Sequence, residues 1–303
     1  MNTTFQLDPW VACLHCSAPV PIQNEITIEY FRGVQTICPK CEKTLDWWKT
    51  VLQTIRGNFM LVQAFAPVGA RWTILNITLR PNLQTEVKFA DHGVPADANI
   101  LSVNYTPQGG GLFPIEIHGN TPQRHVIPPI VYLWPRPLGE GSHSETTVNV
   151  MVTWVPHTAE DEAWQNLIDA FQAYVIGRYQ SEVVPANVAV ESKLARLLAK
   201  FLYKSAKQDN VDSFLKDGAT YGHQLNVLLP ALLSRTGAPR LPTHIHTALN
   251  RLKNLRHQMA HRGVLDNPLE KDEAAELLCA ALFVFHYLNL IRPILLEQKD
   301  KSA

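Results

Sequence analysis

The residues with the most chemistry in this chain are four cysteines near its start and a cationic stretch near its end. Cys13-Leu-His-Cys16 and Cys38-Pro-Lys-Cys41 are two Cys-x-x-Cys pairs separated by 21 residues. Four thiolates in two such knuckles suit a tetrahedral Zn²⁺, each pair closing a tight turn around the ion. With all four positions taken by sulfur, the expected role is structural rather than catalytic or redox. His15 lies between two better ligands and reads as a surface residue. The second stretch runs from Leu252 to Gly263, where Leu252, Leu255 and Met259 recur at helical spacing. Around that stripe stand Arg251, Lys253, Arg256, His257, His261 and Arg262, and Gly263 follows as a helix-ending glycine. A fixed guanidinium and an imidazole near a helix terminus are the ingredients for handling a phosphodiester.

These groups need elements to hold them. Between the cysteine pairs, Ile26-Thr-Ile28-Glu-Tyr30 alternates and predicts a strand, so residues 1–56 are expected to form a zinc ribbon. A segment this short buries little core, and the metal would supply its folding energy. The ligands do not decide whether such a ribbon touches nucleic acid, touches a protein or caps the next domain.

Residues 57–157 change texture. Short alternating runs, split by Pro and Gly, predict strands at Phe59–Phe65, Trp72–Leu79, Glu86–Phe89, Ile100–Tyr105, Ile115–His118, Ile130–Leu133 and Val148–Val155. Strands at this spacing predict a β-sandwich-like domain or a small barrel. Gly109-Gly-Gly111 lacks the strand–loop–helix setting and the Lys-Ser/Thr of a phosphate cradle, so a hairpin is expected there. The domain shows no nucleophile motif and no ligand-spaced His/Asp/Glu cluster. It is expected to recognise a protein or ligand trigger, or to select RNA, rather than to catalyse.

After Pro156 helical periodicity takes over, and residues 158–303 predict an all-α bundle of about five helices. Thr158-Ala-Glu-Asp161 resembles a capping box, with Trp164, Leu167, Ile168, Phe171 and Val175 behind it. A second helix carries Val190, Leu194, Leu197, Leu198, Phe201 and Leu202. A third, His223 to Arg235, is expected to kink or break at Pro230. The fourth is the cationic stretch, from about Thr243. Asn267-Pro-Leu-Glu270 predicts the cap of a last long helix, on which Cys279 reads as a small core residue. Glu191 is the one carboxylate that looks out of place on an apolar stripe. The fold class is therefore multidomain α+β.

Composition sets the outer limits. The 303 residues are 46% hydrophobic and 18% charged, with formal net charge zero, and the mean hydropathy is −0.08. The balance holds along the chain, so bulk electrostatics name no nucleic-acid partner and any such contact must come from local patches. No apolar run approaches the roughly 20 residues needed to span a bilayer, and Asp8 and Pro9 come too early for a signal peptide, so a cytoplasmic location without membrane contact is expected. Five cysteines, four of them paired by spacing, favour metal over disulfides.

The string Leu255-Arg-His-Gln-Met-Ala-His-Arg-Gly263 resembles the Arg-x(4–6)-His motif of HEPN domains, with Arg256 and His261 as its pair. Three other Arg/His pairs have comparable spacing: Arg136/His143, Arg240/His246 and Arg251/His257. Only Arg256/His261 has the leucine stripe before it, Ala260 beside it and Gly263 after it, in the penultimate helix of a bundle. Ala170–Tyr174 followed by Gly177–Glu191 is similar to the first helical hairpin of many bacterial HEPN proteins. The likeness covers roughly residues 160–297 and does not reach the β domain.

The resemblance implies a metal-independent endoribonuclease acting as a homodimer, with two copies of the motif brought together. His261 would serve as general base or acid at the ribose 2′-OH or the leaving oxygen, and Arg256 would hold and neutralise the phosphate. His257 would be the polar residue that follows the Arg in active members, and the product would carry a 2′,3′-cyclic phosphate. A spacing of five places Arg256 and His261 about 140° apart around a helix, a difficulty that a composite site across a two-fold axis removes. Toxins and phage-defence effectors often end this way. Two alternatives stay open. His257 and His261, at i, i+4, could hold a metal, although no Glu follows His257 and no third ligand is near. The pair could instead be structural, in a non-catalytic HEPN module that dimerises while the β domain binds a ligand or partner.

Overall fold

The computed structural model describes residues 4–7, 10–21, 24–57, 70–108, 111–116, 127–137, 144–156 and 161–296. Two compact units are present, and neither is continuous in sequence. One comprises Met1–Trp10 and Met60–Thr158, the other Val11–Phe59 and Ala159–Ala303. The cysteine segment thus shares a unit with the helices, although its sequence predicts a separate ribbon.

In chain order the first elements are β1 (Thr4–Leu7), β2 (Trp10–Ala12), β3 (Pro19–Pro21), α1 (Asn24–Phe31), β4 (Thr36–Ile37), β5 (Thr44–Leu45) and α2 (Trp47–Arg56). Then come β6 (Arg71–Leu79), β7 (Thr85–Lys88), β8 (Asn99–Gln108), β9 (Leu112–Glu116), β10 (Ile130–Pro137) and β11 (Thr146–Val155). The first unit has a four-stranded sheet, β1-β6-β11-β8, and a three-stranded sheet, β7-β10-β9. All their pairings are antiparallel. Period-two alternation turns Leu75, Ile77 and Leu79 of β6, Val148, Val150 and Val152 of β11, and Val131 and Leu133 of β10 into one core with Leu112 and Val87. Both sheets bury one face in that core. Trp154 closes it at one end, its indole N–H donating to Thr73 Oγ1 at 3.0 Å.

The predicted strands over residues 72–155 are present with small shifts of boundary, and Phe89 begins a 3₁₀ turn instead of ending β7. The expected strand at Phe59–Phe65, the cap at Thr158, and His118, Gly109 and Gly110 lie outside the described residues. Strand β1 was not predicted, because four residues carry too little pattern to stand out. It exists through pairing with β6, Thr4 opposite Leu75 and Leu7 opposite Trp72.

The predicted strand at Ile26–Tyr30 is instead helix α1. Its β-branched residues favour a strand only weakly, and tertiary packing decides the outcome. Thr27 and Phe31, four apart, are both buried while Glu29 between them is not, which fits a helix and not a strand, where every second residue shares a face. Phe31 meets Tyr287 with ring centroids 4.9 Å apart. Thr27 Oγ1 lies 3.0 Å from Nε2 of the buried His286.

The helical part contains α3 (Asp161–Val175), α4 (Tyr179–Leu202), α5 (Gln208–Ser213), α6 (Tyr221–His223), α7 (Leu229–Thr236), α8 (Thr243–Arg262) and α9 (Lys271–Leu296). Gly177, at φ 76°, turns α3 back into α4. Pro230 does not break its helix. A π-helical turn, Gln224–Leu228, joins α6 to α7 just ahead of the proline, with Leu229 N donating to Gln224 O. A second π turn, Phe214–Gly218, follows α5, and Gln224 Nε2 donates to the carbonyls of Leu215 and Ala219 at 3.2 and 2.8 Å. Helix α9 starts at Lys271, one turn later than the Asn267-Pro pattern suggests, because Leu269 is drawn into the core before the helix begins.

Helix α9 also corrects the expectation about apolar runs. Its best window has mean hydropathy 1.8, long and apolar enough to cross a membrane by length and composition. In this structure 83% of that window is buried inside the protein, as in a core helix.

Candidate metal centre and phosphodiester site

The four predicted cysteines come together. Cys13 and Cys41 sulfurs are 3.8 Å apart, Cys16 and Cys38 sulfurs are 3.8 Å apart, and all four ligand atoms lie within 4.8 Å of one another. Bond lengths of about 2.3 Å in a Zn–S tetrahedron give edges of about 3.8 Å. The cluster is therefore shaped to hold a metal ion, consistent with the zinc reading. His15 is exposed and stands outside the cluster, as expected.

Local structure makes the two halves copies of one unit. Ser17 N donates to Cys13 O at 2.8 Å, and Glu42 N donates to Cys38 O at 2.9 Å. Cys13 N donates to Ala18 O and Cys38 N to Lys43 O, both at 2.9 Å. Each turn is closed by a left-handed residue after its second cysteine, Ser17 at φ 56° and Glu42 at φ 59°. β2 and β3 flank the first knuckle, and antiparallel β4 and β5 flank the second. The backbone amides of Cys41 and Lys40 hold the Cys38 thiol down to about 6, which favours the thiolate a metal requires.

Helix packing holds the cysteine segment as well. Asp46 caps α2 by accepting from Lys49 N at 3.0 Å. Trp48 on that helix lies against His244 and Phe283, with centroids 4.9 and 5.5 Å away. Asp46 followed by Trp47, Val51 and Ile55 is the cap-and-stripe signal that could have revealed α2 in the sequence.

The cationic stretch forms α8 as predicted, and Gly263, at φ 74°, ends it by donating its N–H to Met259 O at 2.9 Å. Ile245, Ala248, Leu249 and Leu252 bury one side of the helix. His257 and His261 are exposed, and Arg256 is half-buried. The two imidazoles lie one turn apart with centroids 4.2 Å from each other. The neighbouring cations are occupied: Arg251 pairs with Glu273 and Arg262 with Asp266. Among the described residues, Arg256, His257 and His261 make no ion pair, and no third metal ligand joins the two histidines. The site therefore offers one guanidinium and two imidazoles to an incoming group.

A Cβ at Gly263 would meet no atom within 4 Å, so its replacement probes backbone conformation alone. Gly263→Ala is expected to lower stability by about 1 kcal/mol through its left-handed backbone. Urea denaturation checks this, and an unchanged midpoint would show that the turn has relaxed.

Of two acids on α4, the sequence singled out one, Glu191, and missed the buried one. Glu191 is half-exposed and accepts from Asn187 Nδ2 at 3.2 Å, so it is a boundary residue. The isolated carboxylate is Glu182, in the first turn of α4, fully buried with no hydrogen-bond partner for either oxygen among the described residues. Burial pushes its carboxyl up to about 9. Position alone gave no warning, since a Glu in a first helical turn is ordinarily a solvated cap. Cys279 is fully buried, and burial raises its thiol well above the ordinary range, which suits the core role expected of it.

The chain matches no protein-family model, no curated protein and no solved structure.

Proposed function

We propose that this protein is a metal-independent endoribonuclease of the HEPN type, built on a structural zinc ribbon, a sandwich-like β domain and an HEPN-like helical bundle. The observation that carries the reading is the accessible trio Arg256, His257 and His261 on the last turns of α8, with the two imidazoles 4.2 Å apart. In a homodimer, His261 of one copy and Arg256 of the other would face the same phosphodiester. His261 removes the proton of the ribose 2′-OH, whose oxygen attacks phosphorus, and Arg256 neutralises the charge gathering on the phosphoryl oxygens. The 5′-oxygen leaves with a proton, and a 2′,3′-cyclic phosphate remains. A toxin or phage-defence role in the cytoplasm follows the family-level likeness. The zinc ion would hold the ribbon and take no part in cleavage.

Incubating the protein with total RNA in EDTA is expected to yield cyclic-phosphate ends, and His261→Ala is expected to slow cleavage on the order of a hundredfold or more. Absence of cleavage, or cleavage unchanged in the variant, sinks the proposal. A second reading, a non-catalytic HEPN dimer whose β domain binds a ligand or partner, is favoured by one observation: the exposed aromatic face of β9 and β10. It predicts a dimer whose cellular effect survives His261→Ala.

A further inference from the structure

Strands β9 and β10 alternate strictly, yet both of their faces carry apolar groups. Leu112, Val131 and Leu133 point into the core. Phe113 (36%), Ile115 (43%), Tyr132 (38%) and Trp134 (43%) point outward and are exposed. The register sets Trp134 opposite Ile115 and Arg136 opposite Phe113, so these groups form one continuous surface. An antiparallel sheet with one wet face normally turns polar residues outward there. A cluster of large exposed rings marks an interaction site.

Charge on this face is placed at the edges. Glu86 of β7 pairs with Lys88 at 3.0 Å and accepts from the Tyr132 hydroxyl, which anchors that ring. Arg136 has no acidic partner among the described residues, and stands two residues from Trp134 on the same face.

We propose that this outward face of the β7-β10-β9 sheet is a stacking platform for single-stranded RNA. Outward residues two apart on a strand are about 6.8 Å apart, a separation that lets Tyr132 and Trp134 each take a base of an extended strand. Stacking on aromatic rings is sequence-tolerant and contributes about 1–3 kcal/mol per base. The Arg136 guanidinium then meets the phosphate beside the stacked base. The rings are bordered by cationic groups, Arg136 at the end of β10 and Lys88 on the edge strand, which suits a ligand of alternating flat and anionic groups better than the apolar centre of a protein interface. The choice of RNA over another single strand rests on the ribonuclease reading above.

The test uses the full chain carrying His261→Ala, so that cleavage cannot consume the probe. Fluorescence anisotropy follows a labelled oligo-U RNA of about a dozen nucleotides, within the site sizes of single-strand binders. Trp134→Ala is expected to weaken binding about tenfold and Tyr132→Ala by a similar factor, whereas Trp134→Phe keeps the stack and stays within about threefold. Arg136→Gln is expected to flatten the log-log salt dependence by about 0.7. Circular dichroism confirms that each variant is folded. Three outcomes overturn the proposal: no saturable binding, equal affinity in a Trp134→Ala/Tyr132→Ala double variant, or concentration-dependent self-association that Trp134→Ala abolishes without any RNA binding. Oligo-dT bound as tightly as oligo-U overturns the choice of RNA. Probe binding with no cleavage by the unmutated chain overturns the ribonuclease reading and leaves the platform standing.

Discussion

Replacing Cys38 with serine is expected to empty the metal centre and to destabilise the whole second unit, helices included. The four sulfurs have the spacing of a closed tetrahedral site, and serine offers a poor fourth ligand. Small zinc modules draw about 10–16 kcal/mol of folding energy from their ion at neutral pH. Here Phe31, Trp48 and Thr27 also pack on α8 and α9, so the segment has other support and the loss should be smaller. A fall of several kcal/mol is expected, enough to remove much of the roughly 5–15 kcal/mol that holds a typical domain. Elemental analysis should find about one zinc per chain before the change and none after it. Thermal unfolding should show the helical signal melting earlier. Cys279→Ala is the control, because that cysteine lies outside the cluster and should leave the zinc content unaltered. If Cys38→Ser unfolds at the parent midpoint, the cluster contributes nothing to the fold.

The next largest effect is expected at Glu182, and it has the opposite sign. This carboxyl is raised by burial from 4.5 to about 9. A folded value above the unfolded one means that the folded chain holds a proton the unfolded chain gives up. The associated stability is complete below pH 4.5 and drains away as pH rises toward 9. At pH 7 the cost is about 3 kcal/mol at 1.36 kcal/mol per unit of separation. The helix N-terminus favours the anion and trims that figure. Glu182→Gln keeps the shape and removes the proton transfer, so the variant should exceed the parent by about 2–3 kcal/mol at pH 7 and match it near pH 4.5. Urea denaturation at several pH values measures the gap. A gap that does not widen with pH would refute buried protonation. His286 bends the acid side of the same profile. Its burial lowers it to about 3, so its contribution is present above 6.5 and is lost as pH falls.

What could be read from the sequence was whatever repeats or recurs locally. The cysteine spacing encodes its own geometry, because two Cys-x-x-Cys turns have few ways to present four sulfurs. The β6 and β11 strands were legible because eight or more residues alternate against a core. Helix α8 was legible because its stripe and Gly263 agree on where it ends. The failures all concern contacts far apart in the chain. Helix α1 looks like a strand until Phe31 and Thr27 meet Tyr287 and His286, more than 250 residues away. Strand β1 has no identity apart from β6. The aromatic face was invisible because a run such as Ile130-Val-Tyr-Leu-Trp134 does not say which of two apolar sets turns outward. Glu182 hid because helical phase alone cannot show how closely the neighbouring elements cover it.

The discontinuity of the two units in sequence sets the order in which the chain can fold. The cysteine segment leaves the ribosome early, yet its packing partners on α9 lie more than 200 residues downstream. At about 5–20 residues per second, synthesis of that interval takes some tens of seconds. Four thiols wait through it without their helical cover, and an ion captured early would both shield them from oxidation and keep α1 and α2 in position. Strand β1 likewise waits for β6. The N-terminal elements are therefore committed late, and an ion held by the four cysteines would support them before the core can.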